Sequence, residues 1–193
     1  MKRVALIGAR SLDEPGFEEY AEAFYDVSLK FALAGFILRS GNARGADEIA
    51  QSAYMDVYRQ GKVTKEHFEV YLPWTGFRRG SDGYEHCIFH PVTARAKDMA
   101  KDVHPRPERL TTNTISLHGR NVYQIFGHDF NTPVDIVVCY TTNGMVEGGT
   151  ATAINLALNA GIKVINVAQG ELIDRLNEIE FYLECYYQPE NVT

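Results

Sequence analysis

Short apolar runs alternate with longer segments of helical periodicity along most of this chain. The predicted strands are residues 3–8, 35–39, 68–72, 134–140 and 163–167. Strands that alternate with helices pair in parallel through right-handed crossovers. The sequence therefore predicts an α/β fold: a Rossmann-like open, mainly parallel five-stranded sheet with helices on both faces.

One long segment interrupts this alternation after the third predicted strand. From about residue 75 to 118 the periodicity is weak, and several Gly, Pro and His residues occur. Because long structureless loops are uncommon in compact domains, we expect an insertion with structure of its own. We predict one helix over about 92–103 and another that begins at Arg120. Residues 1–193 are thus predicted to form a single domain that carries this insertion.

Composition narrows the classes of partner. The net charge of -6 argues against DNA binding through overall charge. Between Trp74 and Arg120, however, eight Lys or Arg residues stand against five Asp or Glu. This local excess indicates either a solvated surface or a cationic lid over an anionic ligand.

The cysteine and histidine residues bear on the cellular compartment and on metal binding. Three widely spaced cysteines favour a reducing compartment, and no signal peptide or membrane-length apolar run is evident. The chain is therefore predicted to be cytoplasmic, without a membrane partner. His86, Cys87, His90 and His104 are grouped, but Pro91 argues against a regular helical metal site. No metal and no cofactor is predicted.

Three predicted strand-to-helix turns carry small residues: Gly8-Ala9-Arg10-Ser11, the stretch from Ser40 to Asp47, and Gly148-Gly149-Thr150. In an open parallel sheet, ligands bind at the carboxyl ends of the strands, where the strand order reverses. Helix N-termini at such turns attract anions, and glycines allow a phosphate to approach closely. The turns lack the spaced glycines of a dinucleotide fingerprint and the Gly-Lys-Ser/Thr of a Walker loop.

Side chains in and near these turns suit a phosphate and a base. Arg10 and Arg44 are candidates for phosphate pairing or are surface arginines. Trp74 either stacks on a base or belongs to the core, and Asp47 either contacts the ligand or caps its helix. The predicted ligand-binding residues are Gly8, Ala9, Arg10, Ser11, Ser40, Gly41, Asn42, Arg44, Gly45, Asp47, Trp74, Arg120, Asn121, Gly148, Gly149 and Thr150.

These motifs resemble the SLOG superfamily, and most closely its YspA-like (cpYpsA-related) branch. The stretches that carry the resemblance lie between residues 3 and 168: Val4 to Arg10, Ser40 to Asp47, Pro73-Trp74, Gly119-Arg120-Asn121, Asp135 and Gly149-Thr150. This chain departs from the branch at Asn42, where a second glycine is usual, and in the insertion. The resemblance implies a Rossmann-like fold, a nucleotide-related ligand and a homo-oligomer.

Related members include the Rossmann-like domain of DNA-processing protein A and the LOG phosphoribohydrolases. The hydrolases of this superfamily share a sequence pattern similar to Pro-Gly-Gly-x-Gly-Thr-x-x-Glu. The glutamate of this pattern takes part in cleavage of the glycosidic bond. Ala153 stands at that position here, which leaves Glu147 as the candidate catalytic residue. The resemblance and the turns together predict a nucleotide-binding sensor, sequestering protein or binding module. A nucleotide N-glycosidase and a DNA-processing protein remain the alternatives.

Overall fold

The computed structural model describes residues 1–187. The strands are β1 (Arg3–Gly8), β2 (Ile37–Ser40), β3 (Phe68–Leu72), β4 (Cys87–Phe89), β5 (Ile136–Tyr140) and β6 (Lys163–Asn166). The helices are α1 (Glu18–Leu33), α2 (Ala46–Arg59), α3 (Ala94–Asp102), α4 (Thr112–Phe126), α5 (Gly148–Asn159) and α6 (Leu172–Tyr187). All strand pairs are parallel, and the sheet has the order β4-β3-β2-β1-β5-β6. The predicted Rossmann-like α/β architecture is confirmed.

The predicted number of strands was wrong, because the sheet has six strands and not five. The additional strand, β4, lies within the insertion and pairs with β3 from Val70–Cys87 to Leu72–Phe89. A three-residue run is too short to show a hydrophobic period. Its strand conformation is set by pairing at the edge of the sheet rather than by local preference.

The insertion also ends earlier than predicted. Helix α4 begins at Thr112 and not at Arg120, and the Thr111 hydroxyl caps it by accepting a hydrogen bond from the Thr114 N–H. Gly119 lies in the middle of α4. A Cβ at this position would stand 2.3 Å from Cγ1 of Val92, so no larger residue fits. Glycine at this position thus marks close packing of α4 against the insertion rather than a helix end.

The sheet is buried on both faces. Along β1, Val4 and Leu6 pack into a core with α1, α2 and α6, while Ala5 and Ile7 pack into a second core with α3, α4 and α5. This alternation follows from the two-residue period of a strand. The chain passes outward from β1 through β2, β3 and β4, then returns to place β5 on the other side of β1.

The strand order therefore reverses between β1 and β5, where Gly8 pairs with Tyr140 at the carboxyl ends of both strands. In open parallel sheets this position is the usual ligand site. Within residues 1–187, no helix combines the length and the apolar composition needed to cross a bilayer.

Candidate functional site

A cavity of about 550 Å³ opens at the carboxyl ends of β1 and β5. Its wall is formed by the end of β1 and the loop after it, one face of α4, and the segment that leads from β5 into α5. Ala43, before α2, and Asp47, in its first turn, complete the wall. The lining residues are Ile7, Gly8, Ala9, Arg10, Ser11, Ala43, Asp47, Thr114, Leu117, His118, Arg120, Asn121, Gln124, Thr141, Thr142, Glu147, Gly148, Gly149, Thr150 and Ala153.

Ten of the sixteen predicted ligand-binding residues lie in this wall. They are Gly8, Ala9, Arg10, Ser11, Asp47, Arg120, Asn121, Gly148, Gly149 and Thr150. The candidate catalytic residue Glu147 also lines the cavity, and its side chain is exposed to solvent. Ala153, which the resemblance in the sequence aligns with a glutamate, lies in the same wall and presents only a methyl group.

The first turn of α5 faces the cavity without a side-chain cap. Glu147 is the N-cap residue, and its side chain bonds no N–H group of the helix. Nothing lies within 4 Å of the positions that a Cβ on Gly148 or Gly149 would take. The Asn121 amide donates a 2.8 Å hydrogen bond to the Gly149 carbonyl, which fixes this turn against α4. The partial positive charge of the helix N-terminus is therefore directed at open space.

Two arginines and two carboxylates, one of them buried, set the charge of the wall. Arg120 is only 6% exposed, and its Nη1 lies 3.4 Å from Oδ2 of Asp47. Asp47 also accepts a 3.2 Å bond from the Ala43 N–H. Arg10 lies in the same wall with an exposed side chain and forms no ion pair with any residue from 1 to 187. The wall thus carries two guanidinium groups, the buried carboxylate of Asp47 and the exposed carboxylate of Glu147.

Burial dominates the titration of this pair. It lowers the pKa of Arg120, while Asp47 opposes that shift and the positive charge of Arg10 adds to it. Burial likewise raises the pKa of Asp47, against the opposing charge of Arg120. Each group is therefore stabilised less by its partner than it is penalised by loss of water. An added anion beside Arg120 would favour its charged form.

The turn between β2 and α2, residues 40–45, is closed rather than open. The Ala9 carbonyl accepts a 3.4 Å bond from the Ala46 N–H, so the loop after β1 covers the N-terminus of α2. A Cβ on Gly45 would stand 2.5 Å from that same carbonyl oxygen. Asn42 is buried with φ 57°, and its side chain bonds the Phe77 carbonyl at 3.0 Å. The loop after β1 therefore covers the N-terminus of α2, although Ala43 and Asp47 beside it line the cavity.

Six predicted ligand-binding residues consequently lie outside the cavity wall. They are Ser40, Gly41, Asn42, Arg44, Gly45 and Trp74. Arg44 is exposed and pairs with Asp13 at 3.2 Å. Trp74 is 39% exposed and contacts Phe77 edge-on, with 5.1 Å between ring centroids. A direct role of these six residues in binding stays a prediction, and their present contacts are with protein.

Of the polar side chains that α4 presents to the cavity, Arg120 and Asn121 were predicted from the sequence, whereas His118 and Gln124 were not. His118 lines the cavity, and its Nδ1 lies 2.7 Å from the Thr152 hydroxyl on α5. Burial, followed by the charges of His104 and Arg120, lowers its pKa from 6.5 to about 4. His118, Asn121 and Gln124 recur at intervals of three residues, and this spacing would have revealed the face had the helix been started at Thr112.

The basic residues of the insertion do not form the wall. Of the eight Lys and Arg residues between Trp74 and Arg120, Arg120 alone lines the cavity. Arg78, for example, pairs with Glu48 at 2.7 Å. Among residues 1–187, no group of three or more His, Cys, Asp or Glu side chains is arranged to hold a metal.

Comparison of the chain with protein-family models, curated proteins and solved structures finds no match. The class that the fold and the cavity define is a Rossmann-like α/β protein with an open site at the β1–β5 reversal. Membership of the SLOG superfamily stays a prediction from the motifs.

Proposed function

We propose that the cavity binds the phosphate group of a nucleotide or nucleotide-derived ligand, and that the chain acts as a sensor, sequestering protein or binding module. The observation that carries this proposal is the uncapped N-terminus of α5, which faces the same cavity as Arg10 and Arg120. Helix N–H groups and arginine forks are the standard protein partners of phosphate oxygens.

Two further features support the proposal. The cavity lies where ligands bind in open parallel sheets, and its volume of about 550 Å³ falls within the usual size of small-molecule sites. Arg10 is also free to attract an anion, because Asp47 pairs with Arg120 and the exposed Glu147 forms an ion pair with neither arginine. A phosphate at the α5 turn would be attracted by Arg10 and by the helix N-terminus.

The test compares two exposed arginines from predicted phosphate-binding turns. Arg10 lines the cavity, whereas Arg44 lies outside it and pairs with Asp13. Binding of ribose 5-phosphate and of AMP, CMP, IMP and UMP is measured by titration calorimetry. We expect Arg10→Ala to weaken binding roughly ten- to a hundredfold, since hydrogen bonds to charged groups are the stronger ones.

Arg44→Ala serves as the matched control and should change affinity less than twofold. Both side chains are exposed, so both variants should keep the unfolding midpoint of the parent protein. Equal losses in the two variants, or no binding of any phosphate compound by the parent, would refute the proposed function.

Cleavage of the bound nucleotide is the second candidate, and the position of Glu147 in the cavity wall favours it. An N-glycosidase needs a carboxylate near the glycosidic carbon. Incubation with the four nucleotides, followed by chromatography of released base, tests this activity. Release that is lost in Glu147→Gln would establish a hydrolase, and absence of release from all four would leave the binding function alone.

A further inference from the structure

At the inner end of the cavity, two polar side chains pack against the backbone of Gly41. A Cβ at Gly41 would stand 1.1 Å from Nη1 of Arg120 and 2.8 Å from Nε2 of Gln124. Both side chains belong to α4, and both residues line the cavity. We call this pair, Arg120 and Gln124, the inner floor.

The inner floor has hydrogen-bonding capacity that the protein does not use. Gln124 is 2% exposed, and its amide forms no hydrogen bond with any residue between 1 and 187. Nε of Arg120 is fully buried without a partner, and the guanidinium has only the long 3.4 Å contact with Asp47. Buried polar groups are normally paired, and leaving them unpaired is costly. A ligand group that enters the cavity would supply partners for the Gln124 amide and the Arg120 guanidinium, since both residues line the cavity.

Charge decides which end of a nucleotide would reach the inner floor. Asp47 already offsets the charge of Arg120, so the inner floor is close to neutral. Arg10 forms no ion pair within residues 1–187, and Glu147 at the N-cap of α5 bonds no N–H group of the helix, so Arg10 and the α5 turn are the better site for phosphate. The uncharged end of the ligand, its base, is therefore the group that faces Arg120 and Gln124.

The pattern of donors and acceptors then selects the kind of base. A guanidinium only donates, while an amide both donates and accepts. The complementary edge presents a carbonyl oxygen to Arg120 and an adjacent ring N–H to the Gln124 oxygen. Hypoxanthine, guanine and uracil have this lactam edge. Adenine and cytosine carry an amino group in place of the carbonyl, and that group would meet another donor.

We propose that the inner floor contacts the base and gives nucleotides with lactam bases a higher affinity than nucleotides with amino-substituted bases. This inference rests on the proposed function and assigns Gln124 as a specificity-determining residue of the same site. It predicts a difference between nucleotides that share one phosphate and one sugar, so phosphate binding itself cancels in the comparison.

The experiment measures affinities of the parent protein for IMP against AMP and for UMP against CMP. We expect the lactam member of each pair to bind about tenfold more tightly, in line with the discrimination that paired base contacts provide. Ribose 5-phosphate, which has no base, reports on the phosphate site separately.

Gln124→Met removes the amide at similar volume and should bring each affinity ratio close to one, with ribose 5-phosphate binding unchanged. The matched control is Gln51→Met. Gln51 is equally buried at 3% exposed but donates to the Asp47 carbonyl and lies outside the cavity wall. It should keep the preference. Circular dichroism and the unfolding midpoint verify the fold of both variants.

The outcomes separate the two proposals. Binding of ribose 5-phosphate that depends on Arg10, together with equal affinity for IMP and AMP in the parent protein, overturns the inference and leaves the proposed function intact. Tighter binding of AMP and CMP also overturns it. Failure of all phosphate compounds to bind refutes both. The affinities of the parent protein distinguish these outcomes even when Gln124→Met does not fold.

Discussion

Two strand-to-helix turns of similar composition differ in what covers them. The β2–α2 turn is packed: Ser40 and Asn42 are buried, and the Ala9 carbonyl lies against the start of α2. The β5–α5 turn is open, with Gly148 and Gly149 exposed and no neighbour near their would-be Cβ positions. Glycine in both turns permits close approach. The neighbouring element decides whether protein or ligand makes that approach.

Helix α4 contacts both turns through consecutive residues. Arg120 lies against Gly41 of the β2–α2 turn, and Asn121 bonds the Gly149 carbonyl of the β5–α5 turn. The packed turn positions the arginine, and the arginine faces the cavity that the open turn completes. The stretch that looks most like a phosphate loop in the sequence therefore contributes Ala43 and Asp47 to the wall and otherwise supports it from behind.

The largest effect that the comparison predicts is that of Gly41→Ala. The added methyl would overlap the Arg120 guanidinium, which has little freedom to move because Arg120 is 6% exposed. We expect a loss of roughly 2–3 kcal/mol in the free energy of unfolding, the usual cost of overpacking. Urea denaturation measures it. A loss below about 0.5 kcal/mol, the range of neutral surface changes, would mean that the turn is not packed as described.

A second prediction concerns the contact between His118 of α4 and Thr152 of α5, which joins the two helices behind the open turn. The pKa of His118 is about 4 in the folded chain, against 6.5 without burial. At pH 5 the unfolded chain therefore binds a proton that the folded chain does not. The stability that the neutral His118 provides is present above about pH 6.5 and is lost as pH falls towards 4.

The measurement is urea denaturation at pH 7 and pH 5. Lowering the pH should cost the parent about 2 kcal/mol more than it costs His118→Asn. Asp47 has the opposite sign, because a raised pKa makes its contribution fall as pH rises, but it is common to both proteins and cancels. Equal pH dependence in parent and His118→Asn would contradict the buried neutral histidine.

The sequence predicted those parts of the fold that local pattern determines. Strand β5 and residues 4–7 of β1 are continuously apolar because both faces are buried, and this pattern is visible without tertiary information. Strand β4 has no such pattern. Its Cys-Ile-Phe run becomes a strand only because β3 offers an edge for pairing.

The cavity residues that lie at strand ends could be predicted from the sequence. Those whose position depends on packing between distant elements could not. Arg10 and Gly149 follow strands and were found in this way. Asn42 stood out as a departure from glycine, and its φ of 57° explains it, since asparagine tolerates the left-handed region better than most residues. Whether Gly41 makes room for a ligand or for Arg120 depends on a helix about eighty residues away, which no local pattern reveals.

The smallest predicted effect is that of Gly149→Ala, the same substitution in the open turn. Gly149 has an ordinary φ, and no atom lies within 4 Å of the added methyl. Stability should therefore rise by about 0.5 kcal/mol, because alanine is the better residue in a helix. Affinity for ribose 5-phosphate should fall, since the methyl occupies the space through which a phosphate approaches the α5 N–H groups.

Urea denaturation measures the change in stability, and titration calorimetry of the same preparation measures the change in affinity. Opposite signs of the stability change in Gly41→Ala and Gly149→Ala would establish the contrast between the turns, whereas a destabilised Gly149→Ala would show that protein covers the second turn as well.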